Sequence, residues 1–224
     1  MTNHEIHNKG RAVLFRSPVL EAFTKSHPLV IWGIYIPIIS WLVYHGTQTI
    51  NNSYIWLLVA FFGGMFAWTF VEYIIHRFVF HLIAESKVAT RIIYVMHGNH
   101  HVYPRDKERL FMPPIPSLII ASILFLIFKL ILGIFSLGDY VFLFFPGFML
   151  GYLLYGSMHY AIHAFKPPFK WMKSLWRNHH LHHYKDEGKG FGVSTTLWDR
   201  VFGTMFPSSE RRREEPKVLE ETAV

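Results

Sequence analysis

Four long apolar blocks limit what this chain can fold into. Leu29 to Tyr44, with its flanks, reaches about 20 residues, enough to cross a bilayer once as a helix. Tyr54 to His81 is 28 residues long. That is about 42 Å at 1.5 Å per residue, more than the roughly 30 Å of a hydrocarbon core. A third block opens on Pro113-Pro114-Ile115-Pro116 and ends at Phe135, and a fourth, Tyr140 to Phe165, overshoots again. Pro37 stands where it can kink the first span. Lys129, the only charge in the third, is expected to snorkel or to face a partner helix.

Charge sets the topology. The net charge is +7, and in a chain of this kind such an excess marks cytoplasmic loops, not a nucleic-acid partner. Lys and Arg fall in the lead (residues 1–28), in 77–112 and from 166 onward, while the turns at 45–53 and 136–139 have none. Four spans place all three basic segments on one side, predicted cytoplasmic. The division expected is a cytoplasmic or interfacial lead over 1–28, a membrane domain over 29–206 with spans near 29–47, 54–82, 113–135 and 140–165, and a charged, disordered tail over 207–224. Residues 1–28 have no apolar run of a signal peptide. With no cysteine, disulfides and thiolate ligands are excluded.

Histidine carries the chemistry. Ten of the fifteen fall in four groups: His76 and His81; His97, His100 and His101; His159 and His163; His179, His182 and His183. All lie at span ends or in basic segments, on the predicted cytoplasmic side. In the two HxxHH triplets the spacing i, i+3, i+4 puts three rings on one helix face within a turn. The pair 159/163 is an i,i+4 clamp, whereas 76/81 stands about 140° apart on an α-helix and reaches two metals or straddles one. Ten imidazoles exceed the needs of one ion and suit two with about five each; imidazole accepts Fe, Zn, Cu and Ni alike. A single histidine in an apolar segment is ordinarily a hydrogen-bonded core residue, and His4, His7, His27 and His45 are read so, or as solvated. His180 points off the triplet face, toward the surface or behind the ligands. Glu72, four residues before His76, is expected either to hold a ligand histidine by its second ring nitrogen or to form a structural ion pair. Phe61, Phe62, Phe66 and Trp68 are read as packing or lipid-facing.

These residues resemble a known family. Glu72-Tyr73-Ile74-Ile75-His76 through His81, Met96-His97-Gly98-Asn99-His100-His101, His159-Tyr160-x2-His163, His179-x2-His182-His183-Tyr184, Gly190-Phe191-Gly192-Val193-Ser194 and Trp198-Asp199 are similar to the fatty acid hydroxylase superfamily over about residues 68–206. Arg109 to Pro116 favours its fatty acid (sphingolipid) 2-hydroxylase branch over the sterol oxidases. The resemblance implies an all-α integral membrane protein, four transmembrane helices under a cytoplasmic helical cap. The cap holds a dimetal centre on the ten histidines, with iron in the active enzyme and zinc able to substitute. It implies a dioxygen-dependent monooxygenase that hydroxylates the 2-position of a lipid acyl chain. The lead is too short for the haem domain often fused to such enzymes, so a separate electron-transfer protein is expected, and a bacterial cytoplasmic membrane is favoured over the endoplasmic reticulum. Gly156 departs from the family, which usually has an acidic residue there, and this bears on the substrate.

Two rival readings remain. A sterol, carotenoid or alkyl-lipid oxidase or desaturase keeps the chemistry and changes the substrate. A metal transporter fits poorly, because the histidines lie at helix ends and no ionisable path crosses the spans beyond Glu72 and Lys129.

Overall fold

A computed structural model describes residues 5–207 and residue 209; the tail expected over 207–224 falls, apart from Pro207 and Ser209, outside the described residues. Among them every regular element is helical. Helices α1 (Pro18–Ala22) and α2 (Pro28–Thr49) are followed by α3 (Tyr54–Ile75), which runs into a π-turn at His76–Phe80. Helix α4 (Lys87–Ile93), a second π-turn (Tyr94–Gly98) and α5 (Asn99–Val102) form half of a cap. Helices α6 (Pro114–Ile134) and α7 (Val141–Ala164) return through the membrane, and α8 (Lys173–Tyr184) and α9 (Leu197–Val201) complete the cap. Four segments, Pro28–Thr49, Tyr54–Phe80, Lys107–Ile134 and Gly138–Ala164, are long and apolar enough to span a bilayer. The chain is a multi-pass membrane protein.

The first span continues unbroken past Pro37 and absorbs most of the expected turn at 45–53, ending only at Thr49. Lys129 faces a partner, its ammonium 5.7 Å from the Phe142 ring centre.

Helix α7 is the axis of the bundle. The fourth span is 56% buried, the third only 6%. Ile31, Tyr35, Ile39, Leu42 and Gly46 recur every three or four residues, giving α2 one buried face toward α7. Helix α3 approaches more closely still: a Cβ on Gly64 would lie 1.8 Å from the Phe144 carbonyl oxygen, and one on Gly147 1.8 Å from that of Phe61. Lipid tails are as apolar as leucine, so spans gain little by hiding apolar area from them; glycines that let backbones touch supply the packing instead. This crossing fixes the end of α3, and with it His76, against the end of α7.

The lead is tied to the segment before α6. Arg109 pairs with Glu21 and Asp106, Glu108 with Arg11 and Lys25, and the Ser26 amide donates to the Glu108 carbonyl.

Candidate metal centre

The four histidine groups converge into two clusters. His76, His81, His97, His101 and His182 form one; His100, His159, His163, His179 and His183 form the other; in each, the ligand atoms lie within 4.8 Å of one another. Each HxxHH triplet is therefore divided. Its first and last residues, one α-helical turn apart, serve one cluster, and its middle residue crosses to the other. The triplets do not act as single faces, because the two clusters lie side by side and the ring at i+3 points about 100° away from the ring at i+4.

Local backbone explains the awkward pair. An α-helix would hold His76 and His81 about 140° apart. The π-turn instead carries the His81 amide to the His76 carbonyl at 3.3 Å, stacking residue i nearly over i+5, and the ring centres stand 5.1 Å apart. Both rings join the first cluster. The second π-turn contains His97, the start of the first triplet, and the Asn99 side-chain amide donates to the Tyr94 and Val95 carbonyls at 3.0 and 2.8 Å, the former also accepting the Asn99 backbone amide. Phe80 stacks flat on His97 at 4.7 Å.

The donors suit metal ions. In the first cluster His97 Nε2 lies 3.1 Å from His76 Nε2 and 3.0 Å from His101 Nε2; in the second His179 Nε2 lies 2.9 Å from His163 Nε2 and 3.1 Å from His183 Nε2. Two nitrogens bound at about 2.1 Å stand about 3.0 Å apart at right angles and about 3.4 Å apart in a tetrahedron. The spacing thus fits a five- or six-coordinate ion. Nε2 of His81, His100, His159 and His182 is buried without a hydrogen-bond partner among the described residues. Burial first, then neighbouring imidazoles, hold His97, His100, His179, His182 and His183 well below the usual histidine range, so they are neutral, as ligation requires. Each cluster can hold a metal ion.

The loop after α8 orients the first cluster. A carbonyl only accepts, so His76 Nδ1 donates to Phe191 O at 2.6 Å and His182 Nδ1 to Lys189 O at 2.7 Å. The Glu187 carboxylate stands 4.0 Å from His81 Nδ1 and 3.9 Å from His101 Nδ1. Buried carboxylates in turn hold the loop. Glu72 accepts from the amides of Val193 and Ser194, at 2.8 and 2.9 Å, and from the Ser194 hydroxyl. This corrects the role expected for Glu72: it grips the loop whose carbonyls fix His76 and His182, and among the described residues it has neither a ligand imidazole nor a cation as a hydrogen-bond or ion-pair partner. Asp199 does the same for Phe191 and Gly192, each at 2.9 Å, and accepts from Thr204. Sequence reasoning quoted Asp199 only as part of a motif; an acidic residue shortly after a glycine-rich stretch was the available signal.

The remaining histidines take ordinary places. His180 is buried and donates Nδ1–H to Trp176 O at 2.6 Å, outside both clusters. His27 caps α2, His45 packs between Trp41 and Phe142, and His7 stacks on Tyr103; His4 lies outside the described residues. The space of a side chain at Gly156 is filled by Phe111, whose ring atoms would come within 2.3 Å of a Cβ there.

Comparisons with known proteins point to one family. Residues 61–204 match the fatty acid hydroxylase family. The chain is 35% identical over 215 residues to the fatty acid 2-hydroxylase of Mus musculus, covering 87% of this chain and 56% of that protein. It is 34% identical over 201 residues to the dihydroceramide fatty acyl 2-hydroxylase FAH1 of Arabidopsis thaliana, covering 90% and 83%. The solved hydroxylase domain of scs7p superposes with a TM-score of 0.79 at 34% identity, covering 89% of this chain and 74% of that one. The chain belongs to the fatty acid hydroxylase family. It spans little more than half the length of the mammalian relative, and most of the plant one.

Proposed function

We propose that residues 29–206 form a membrane monooxygenase that hydroxylates the 2-position of a lipid acyl chain, free or carried on a sphingolipid. The supporting observation is the pair of five-imidazole clusters at the head of an apolar cleft, in a chain whose relatives are named 2-hydroxylases. The balance is one C–H bond and dioxygen, with two electrons and two protons, giving one C–OH and one water. Bound on the ten histidines, a pair of redox-active ions supplies the dioxygen and electron chemistry; zinc, having no redox states, can occupy but not replace them. Iron suits all-imidazole donors and the near-right-angle spacing.

The chain's own residues do the rest. The carbonyls of Phe191 and Lys189 fix the rings of His76 and His182. Phe111 and Tyr155 beside His159 keep bulk water from the head of the cleft, which His97, His100 and His159 reach from the two clusters. Electrons come from a separate electron-transfer protein. The excess of 22 Lys and Arg over 15 Asp and Glu, concentrated on the cap side, supports an acidic donor and a cytoplasmic orientation for that side.

The test is lipid mass spectrometry of a host expressing the wild type or His182→Ala, with iron counted in the purified protein. Chains hydroxylated at carbon 2, present only with the wild type, are expected. Unchanged lipids from an iron-loaded, reduced enzyme would sink the assignment.

A further inference from the structure

The cleft at the histidine clusters has a floor, and the position of that floor sets a length. Given the hydroxylase reading, on which this inference rests, we propose that the cleft takes one unbranched acyl chain of about 16 to 18 carbons, tail down along α7, as its depth dictates. Phe148 is the stop.

The cavity measures about 520 Å³, within the range of pockets that enclose a small ligand. His97, His100 and His159 line its head, and Leu124, Phe145 and Phe148 line its deep end. Between these it follows one side of α7, with α3 and α6 as walls. At the bottom an aromatic row joins all three helices. There the Phe148 ring is 5.0 Å from Trp68 of α3 and 5.1 Å from Phe128 of α6, and Phe145 stacks beneath it at 5.7 Å. Phe148 is 2% exposed, so this aromatic row is packed and not a flap. Trp68, read from sequence as packing, is both packing and floor.

From His159 to Phe148 is 11 residues of α7, and to Phe145 14, or about 16 to 21 Å at 1.5 Å per residue. An extended chain advances about 1.25 Å per methylene, from C–C bonds of about 1.5 Å at about 111°. The depth therefore holds about 13 to 17 methylenes beyond the reacting carbon; adding that carbon and the carboxyl carbon gives about 15 to 19, centred on the stated length. Each methylene that finds wall tightens binding roughly four-fold, and one that meets the floor adds nothing or must bend out into lipid. Longer chains thus lose their advantage abruptly.

The probe is a series of saturated free fatty acids from about 12 to about 24 carbons, a range bracketing the length that depth holds. They are added to the purified, metal-loaded protein in detergent, and thermal stability is read. Protection should grow with length, peak at about 16 to 18 carbons and fall beyond. Ile120→Trp, a half-buried change on the α6 wall above the floor, should move the peak about four carbons shorter, and Phe148→Ala should move it longer. The Trp variant keeps the test sound if the buried Phe148 change fails to fold. Protection that keeps growing through the longest acid, or a peak that Ile120→Trp leaves in place, overturns the ruler. The same acids are then offered with reductant and dioxygen. Peaked protection without product at any length removes the hydroxylase reading and leaves the ruler standing. Product equally abundant at the longest and middle lengths removes the ruler and leaves the hydroxylase.

Discussion

The two histidine clusters use the same ring and are held by different means. In the first, His76 and His182 are tethered to backbone carbonyls of residues 189–191, and His81 and His101 turn toward Glu187. The second is made by helix packing, with two ligands from α7 and two from α8. Only Leu110 O, 3.4 Å from His159, faces one of its outer nitrogens, and Nδ1 of His179 and His183 is buried without a partner among the described residues. The first cluster is clamped by a loop that depends on Glu72 and Asp199. The second depends on how the spans cross, and it gives the cleft two of its three histidines. Rigidity is concentrated on one cluster and access to the cleft on the other.

The bluntest way to test this contrast is to remove one ligand from each side. His97→Ala and His163→Ala should each lower 2-hydroxy product more than about 100-fold while the protein stays in the membrane fraction, since losing a ligand exceeds the 10- to 100-fold cost typical of losing a ligand's outer partner. Product and membrane fractionation are the readouts; survival of activity in either variant would mean that the two ions do not act together. Glu72→Ala separates the clusters. Freed from its clamp, the first should release its ion about 10- to 100-fold more readily while the second holds on. Chelator titration with metal counted per chain should then show a step from two toward one, and parallel loss of both would erase the distinction.

Acid acts on both clusters. In the unfolded chain these histidines protonate near pH 6.5, but burial keeps His97, His100, His179, His182 and His183 neutral well below that in the fold. Below pH 6.5 the unfolded state takes up more protons, so metal-free protein should lose stability as pH falls from about 7 to 5, by up to roughly 1.4 kcal/mol per unit per group. Melting curves of chelator-treated protein measure this, and a flat profile would contradict the burial. His180→Phe should have the smallest effect. Both ions stay, and the loss of one hydrogen bond of about 1 kcal/mol lowers Tm by about 2 to 4 °C.

Much of this was legible in the sequence, for reasons particular to each part. Spans announce themselves because a bilayer demands an uninterrupted apolar run, and ten histidines on one side of four spans have few uses besides metal. The partition of ligands was hidden, because i,i+3,i+4 spacing fixes a face but not which of two neighbouring ions each ring meets. The π-turns leave no composition signal, so the 76/81 pair looked loose. Glu72 misled for the opposite reason. Helical proximity pointed to His76, four residues away, whereas its partner Val193 is 121 residues away, reachable only through the tertiary fold.

The division of each triplet has a consequence for how the protein would take up metal. Since α5 and α8 each feed both sites, neither ion can be seated until the two halves of the cap have met, and a chain carrying a single ion has still stitched the halves together. Loading of the intact chain should therefore be cooperative: the first ion to arrive prepares the berth for its neighbour, and half-filled molecules should be scarcer than two independent berths would give, until a change such as Glu72→Ala loosens one of them.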